Sequence, residues 1–206
     1  APIVFLQGAC GDITQVDNLA KYVRPGNEQW ALRVGGRVGA EAVRALLLAE
    51  PGEKLSVAAE QKIWKIKRRR PSPQHLRKAL ADINGDPKKV ALHDRIFAKE
   101  ILMLEALIEK DPAVEVEVQA IQVGPAVFVS NPAEFFVELG LAIKRGSRFP
   151  FTYPVELANG CTGYVPTEEA FGPHGGGYET RLTAYSNLEI TAGTQMVEAD
   201  IALTRR

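Results

Sequence analysis

Three short segments bring together residue types that can bind or activate a substrate. The first, Gly8-Ala9-Cys10-Gly11-Asp12-Ile13-Thr14, follows the apolar run Ile3-Val4-Phe5-Leu6. A carboxylate and a hydroxyl there would sit where a rigid strand ends and the backbone turns outward, and Gly11 would let a substrate approach the main chain closely. The same residues also suit an ordinary turn in which Asp12 bonds local amides. Cys10 has no neighbouring histidine to activate it and reads as a small buried side chain. The second segment, Asn131-Pro132-Ala133-Glu134, offers a carboxylate at the exit of Ala126-Val127-Phe128-Val129, a position suited to a cation. It is equally a helix start, with Pro132 at the first helical position and Glu134 closing a capping box. The two roles compete for the same oxygens. The third, Ala158-Asn159-Gly160-Cys161-Thr162-Gly163-Tyr164, holds a phenol after paired glycines, either as a site residue or as a packed tyrosine.

Histidine and thiol chemistry is sparse. His75 falls in a short amphipathic segment and His93 near an apolar stripe, and both read as structural. His174-Gly175-Gly176-Gly177 matches the oxyanion loop of some esterases, but no Gly-x-Ser-x-Gly elbow follows it. Without His-x-His, HExxH or CxxC, the chain cannot build a three-histidine zinc site by itself. The two cysteines, Cys10 and Cys161, make no disulfide framework, and their positions do not decide whether they pair.

The elements that must position these groups follow from periodicity. Pro2 to Leu6 reads as a buried strand. A helix is expected from about Val34 to Ala49, with Val34, Val38, Ala42, Ala45, Leu46 and Ala49 on one face and Pro51-Gly52 as its stop. Leu55 to Lys67 reads as an exposed strand, and the basic run Lys65, Lys67, Arg68, Arg69, Arg70 as its solvated end. Ser72 caps a helix with Pro73 at its first position, ending near Asn84-Gly85. A longer helix spans Lys88 to Lys110, with Phe97, Ile101, Leu104 and Ile108 on one stripe. Val114, Val116 and Val118 alternate with polar residues in a half-buried strand, and Ala126 to Val129 reads as a fully buried one. Helices are expected from about Pro132 to Lys144 and from Gly193 to Leu203. Between them, Phe149 to Leu188 shows little period. A structureless stretch that long points to a functional surface rather than a connector. Alternating helices and strands with hairpins indicate an α/β fold, a mixed β-sheet flanked by helices.

The composition narrows the partners. The chain has 206 residues with 25 basic and 25 acidic side chains, so no net field draws it to nucleic acid. No apolar stretch is long enough to cross a bilayer as a helix. The sequence opens at Ala1 and runs into its first apolar segment without a charged leader, which reads as a core strand whose preceding sequence has been removed.

Taken together, the segments resemble the neutral/alkaline, non-lysosomal ceramidase family. Gly11-Asp12-Ile13-Thr14 resembles its Gly-Asp-Val-Ser segment, and Pro132-Ala133-Glu134-Phe135 its Pro-Gly-Glu-Phe segment. Asn159 to Glu169 resembles Asn-x-Tyr-x-x-Tyr-x-Thr-Thr-x-Glu-Glu, and Tyr178-Glu179 the Tyr-Glu pair that follows. The resemblance implies that residues 1–206 are the C-terminal part of a zinc amidase domain, an incomplete domain by that reading. It implies that Glu134 and Tyr164 bind Zn2+, with two histidine ligands supplied by the missing N-terminal half. It further implies Thr14 and Asp12 as catalytic residues, Thr14 standing where the family has serine. Gly11 and Cys161 would line the substrate, Cys161 standing where the family has tyrosine. The implied substrate is a lipid amide, reached by peripheral membrane contact, and the implied location is secreted or periplasmic. The alternative is a non-catalytic fragment or binding module that keeps the fold without the metal chemistry.

Overall fold

A computed structural model of the chain describes residues 3–17, 19–21, 26–50, 52 and 54–205. Two compact units divide it: Ile13–Leu55, and Ala1–Asp12 together with Ser56–Arg206.

The smaller unit carries one helix, α1 (Glu28–Leu48), which begins before its apolar stripe. Its start is set by Asn27, whose side-chain oxygen (2.8 Å) and main-chain carbonyl (3.1 Å) both accept from the Trp30 amide. None of its residues is buried, so the expected stripe of Val34, Val38 and Ala42 covers no core. Pro51, part of the expected helix stop, lies outside the described residues.

The larger unit is built on strands β1 (Val57–Lys67), β2 (Ala113–Val123), β3 (Ala126–Ser130) and β5 (Phe151–Val155). They lie in the order β1-β2-β3-β5, with antiparallel pairing except for the parallel pair β3–β5. The mixed sheet is therefore as expected. Alternation puts Ile66, Val116, Val118, Ala120, Val127 and Val129 on one buried face. Helices α4 (Val137–Gly146) and α5 (Ala192–Leu203) supply Leu139, Ile143, Met196, Val197, Ala199 and Leu203 to the same core. Helix α2 (Pro73–Asn84) begins at the expected cap, with Ser72 Oγ accepting from the His75 amide, and α3 (Leu92–Lys110) buries Ala98, Leu104 and Ile108.

Four expectations need correction. Ile3, Val4, Phe5 and Leu6 form no strand and are exposed, since no described strand pairs with them; Pro2 lies outside the described residues. Strand β3 alternates rather than being buried throughout: Val127 and Val129 on its inner face are in the core, while Ala126, Phe128 and Ser130 are half-buried. The stretch from Phe149 to Leu188 is not structureless: it holds β5, the short strand β6 (Tyr164–Val165) and a 3-10 turn at Glu169–Phe171. Lastly, Glu134 is not in a helix. Glu134–Phe135 is a short strand, β4, because the Glu134 amide donates to the Gly163 carbonyl at 3.0 Å and the Phe136 amide to the Val165 carbonyl at 3.2 Å. That pairing keeps the chain extended until α4 starts at Val137.

Candidate functional site

The capping conflict at Glu134 is resolved by another residue. The first amide of α4, Val137 N–H, donates to Asp12 Oδ1 at 2.7 Å, a charge-assisted bond at the positive end of the helix. Asp12 thus does the capping from the far end of the chain, and Glu134 is left on β4 with its oxygens uncommitted to the helix. The Gly11 amide reinforces the junction by donating to the Phe135 carbonyl at 2.6 Å. A Cβ on Gly11 would lie 2.5 Å from the Glu134 carbonyl oxygen, so only glycine permits this approach.

Strands β4 and β6 are parallel, and their register sets Glu134 directly beside Tyr164. Residues that are 30 positions apart in sequence become nearest neighbours on one small sheet. The glycine before Tyr164 makes this possible. Gly163 has φ +77° and packs against the Tyr185 carbonyl, where any Cβ would collide. The Tyr164 amide donates to Ser186 Oγ at 3.1 Å, and the Thr162 amide to the Pro132 carbonyl at 2.6 Å.

Around this pair stands a phenolic cluster. The Tyr185 hydroxyl donates to Glu134 Oε1 at 2.6 Å, and Cys161 Sγ lies 3.3 Å from the same hydroxyl. A phenol has one proton to give, so with that proton on Glu134 the thiol is the donor in the second contact. The hydroxyls of Tyr164 and Tyr178 are 3.2 Å apart, and the Tyr164 ring meets those of Tyr178 and Tyr185 edge-on at 5.4 and 6.0 Å. Tyr164 is held above the usual phenol range by its bond to Tyr178, by burial and by the Glu134 charge. Tyr185 is raised by its bonds to Cys161 and Glu134 and by burial. Both phenols therefore keep their protons beside the carboxylate.

Behind β4 lies a second carboxyl. Glu156 is buried, 4 % exposed, and accepts from the Phe135 amide at 2.8 Å, the Cys10 amide at 3.2 Å and Cys10 Sγ at 3.4 Å. Burial raises it to about 7 against the three donors that favour its charge, with Glu134 adding to the rise. Burial and Glu156 together push the Cys10 thiol up to about 11, so it is protonated at neutral pH and no nucleophile. Both cysteines are free.

Of the residues chosen from sequence, Gly11, Asp12, Glu134, Cys161 and Tyr164 belong to the larger unit, and all but Asp12 and Gly11 join the phenolic cluster directly. Thr14 is exposed in the smaller unit. Tyr185, Glu156 and Arg69 had no signature in the sequence. Arg69, expected to be solvated, instead donates to the carbonyls of Leu188 (2.8 Å), Thr180 (3.2 Å) and Ser186 (3.2 Å), pinning the loop that carries Tyr178 and Tyr185. A separate cleft of about 390 Å³ between α2 and α3, lined by Phe97, Ile101, Leu182, His75, Lys78 and Arg181, includes none of the candidates.

As a donor set, Glu134 and Tyr164 provide a carboxylate and a phenol, both competent oxygen ligands for zinc but short of its usual four. Among the described residues no group of three His, Cys, Asp or Glu side chains converges to complete them. By type, the pair would supply two of the usual four zinc ligands.

No protein-family profile and no curated protein matches the chain in sequence. Solved structures do match in shape. The crystal structure of neutral ceramidase from Pseudomonas aeruginosa superimposes over 98% of this chain and 37% of its own, with a TM-score of 0.58 and 17% identity. A structure of ceramidase complexed with C2 matches 86% of this chain and 35% of its own, with a TM-score of 0.49 and 14% identity. The fold is ceramidase-like. The chain spans little more than a third of the length of these structures.

Proposed function

We propose that the chain forms part of a zinc-dependent amidase site that hydrolyses an N-acyl amide of the ceramide kind, releasing a fatty acid and an amine. The observation that carries this reading is the register pair of Glu134 and Tyr164, two oxygen ligands side by side on paired strands. In this reading they hold the metal together with two histidines from sequence outside these 206 residues. A bound zinc ion supplies a water acidified to near neutrality and an electrophile for the amide carbonyl. The chain's own residues do the rest. Tyr178 sits against the Tyr164 phenol, Asp12 holds the start of α4 next to β4, and Gly11, buried rather than open to a substrate, lets its turn pack against the β4 backbone. Cys161 borders the substrate. Thr14 is assigned the hydroxyl that orients the amide, on the sequence resemblance alone. The lipid amide would be met at a membrane surface.

The incomplete donor set favours a second reading, a non-catalytic module of the same fold. The two separate on zinc content and hydrolysis of a ceramide analogue, measured on the 206 residues and on the longest natural form of the protein. The amidase reading expects one zinc and turnover in the longer form, both abolished by Glu134→Ala. A longer form without zinc or turnover leaves the non-catalytic module.

A further inference from the structure

The shortest polar contact in the cluster belongs to a residue that neither the motifs nor the proposed ligand set includes. We infer that Tyr185 is a positioning residue for Glu134, fixing which carboxylate oxygen is left to face a cation; this rests on the zinc-site reading above. Its phenol donates to Oε1 at 2.6 Å, and Cys161 stands behind it at 3.3 Å as the donor that fills the phenol's own acceptor position. The result is a directed chain, thiol to phenol to carboxylate, that occupies one oxygen of Glu134 and restricts rotation about its terminal bond.

The backbone gives Tyr185 the stiffness this role needs. Its carbonyl packs on Gly163, the residue that precedes Tyr164, so the phenol that orients Glu134 and the phenol beside Glu134 share one anchor. The Ala184 amide donates to Glu100 on α3 at 3.1 Å, and the Ser186 amide to Thr183 Oγ1 at 2.8 Å, so the residues on both sides are tied down. Arg69 holds the Ser186 carbonyl. Tyr185 as a residue is 47% exposed, so it contributes little to the core, and the firmest side-chain contact it makes is with the Glu134 carboxylate. Carboxylates that bind metal are commonly oriented by such an outer partner, whose loss typically weakens metal affinity by about 10- to 100-fold.

The test is zinc affinity by chelator competition in the longest natural form of the protein, for wild type, Tyr185→Phe and Tyr153→Phe. Tyr153 is a phenol on β5 outside the cluster and controls for the substitution itself. Tyr185→Phe is expected to bind zinc about 10- to 100-fold more weakly, with its metal-free melting temperature unchanged and Tyr153→Phe equal to wild type. With Co2+ in place of zinc, the visible ligand-field bands of Tyr185→Phe should shift, since the carboxylate is free to bind differently. Equal zinc affinity and unchanged bands in Tyr185→Phe overturn the inference and leave the zinc reading standing. Failure of the wild type to take up zinc overturns both.

Discussion

Glu156 is a carboxyl group pulled in two directions. Three hydrogen bonds favour its charge, and burial opposes it more strongly, raising it from the ordinary 4.5 to about 7. The sign of the pH effect follows. Below 4.5 the group is protonated folded or unfolded, and its contribution to stability is complete. Between 4.5 and about 7 the folded state keeps a proton that the unfolded state releases, so stability falls as pH rises, and the loss is complete above about 7. Wild-type melting temperature should therefore decline from pH 5 to pH 8, and Glu156→Gln should flatten that decline. An equally steep decline in the variant would mean that Glu156 does not carry it.

Strand β6 is two residues long, so its geometry depends on what flanks it. Gly163 adopts a left-handed conformation with the Tyr185 carbonyl against it, and no side chain fits there. Gly163→Ala should cost about 1–3 kcal/mol from backbone strain alone, with a further loss from collision with the loop bearing Tyr185. Urea denaturation would read this as a lower midpoint at unchanged slope. A change within about 0.5 kcal/mol, the range of neutral surface substitutions, would show that the loop yields freely. At the same scale, β4 explains why a capping-box sequence is not a helix start: cross-strand hydrogen bonds from Glu134 and Phe136 hold the backbone extended, and Asp12 takes over the cap.

Across the molecule the burial is uneven. The larger unit closes a core over one sheet face, and that core includes a buried polar pair in which Asn131 Nδ2 donates to Asp200 Oδ2 at 2.9 Å. Desolvation holds Asp200 well above the usual carboxylate range, a second acid whose burial favours the protonated form. By contrast, α1 buries none of its residues, and a helix without a buried face is only marginally stable in water. Hydrogen exchange should separate them. Amides of Leu32 to Leu46 should exchange about two orders of magnitude or more faster than those of Val116 and Val118, which open only with the core. Comparable protection would show that α1 is held by something other than burial of its own side chains.

Local rules sufficed where the cause was local. The Ser72-Pro73 cap and the Val116/Val118 alternation depend on spacing within a few residues, and each lies where spacing put it. The same holds for the α/β class. Of the expected α3 stripe, Leu104 and Ile108 are buried while Phe97 and Ile101 are half-buried, and the helix starts at Leu92 rather than Lys88. Tertiary structure alone decided what the candidate site residues touch. Glu134 and Tyr164 meet through strand register, Asp12 caps a helix 125 residues away, and Tyr185, Glu156 and Arg69 gain their roles by contacts from distant segments. None of these contacts has a period or a spacing. A phenol that orients a carboxylate is spelled like any other tyrosine, and only the folded backbone brings its single proton to the oxygen that accepts it.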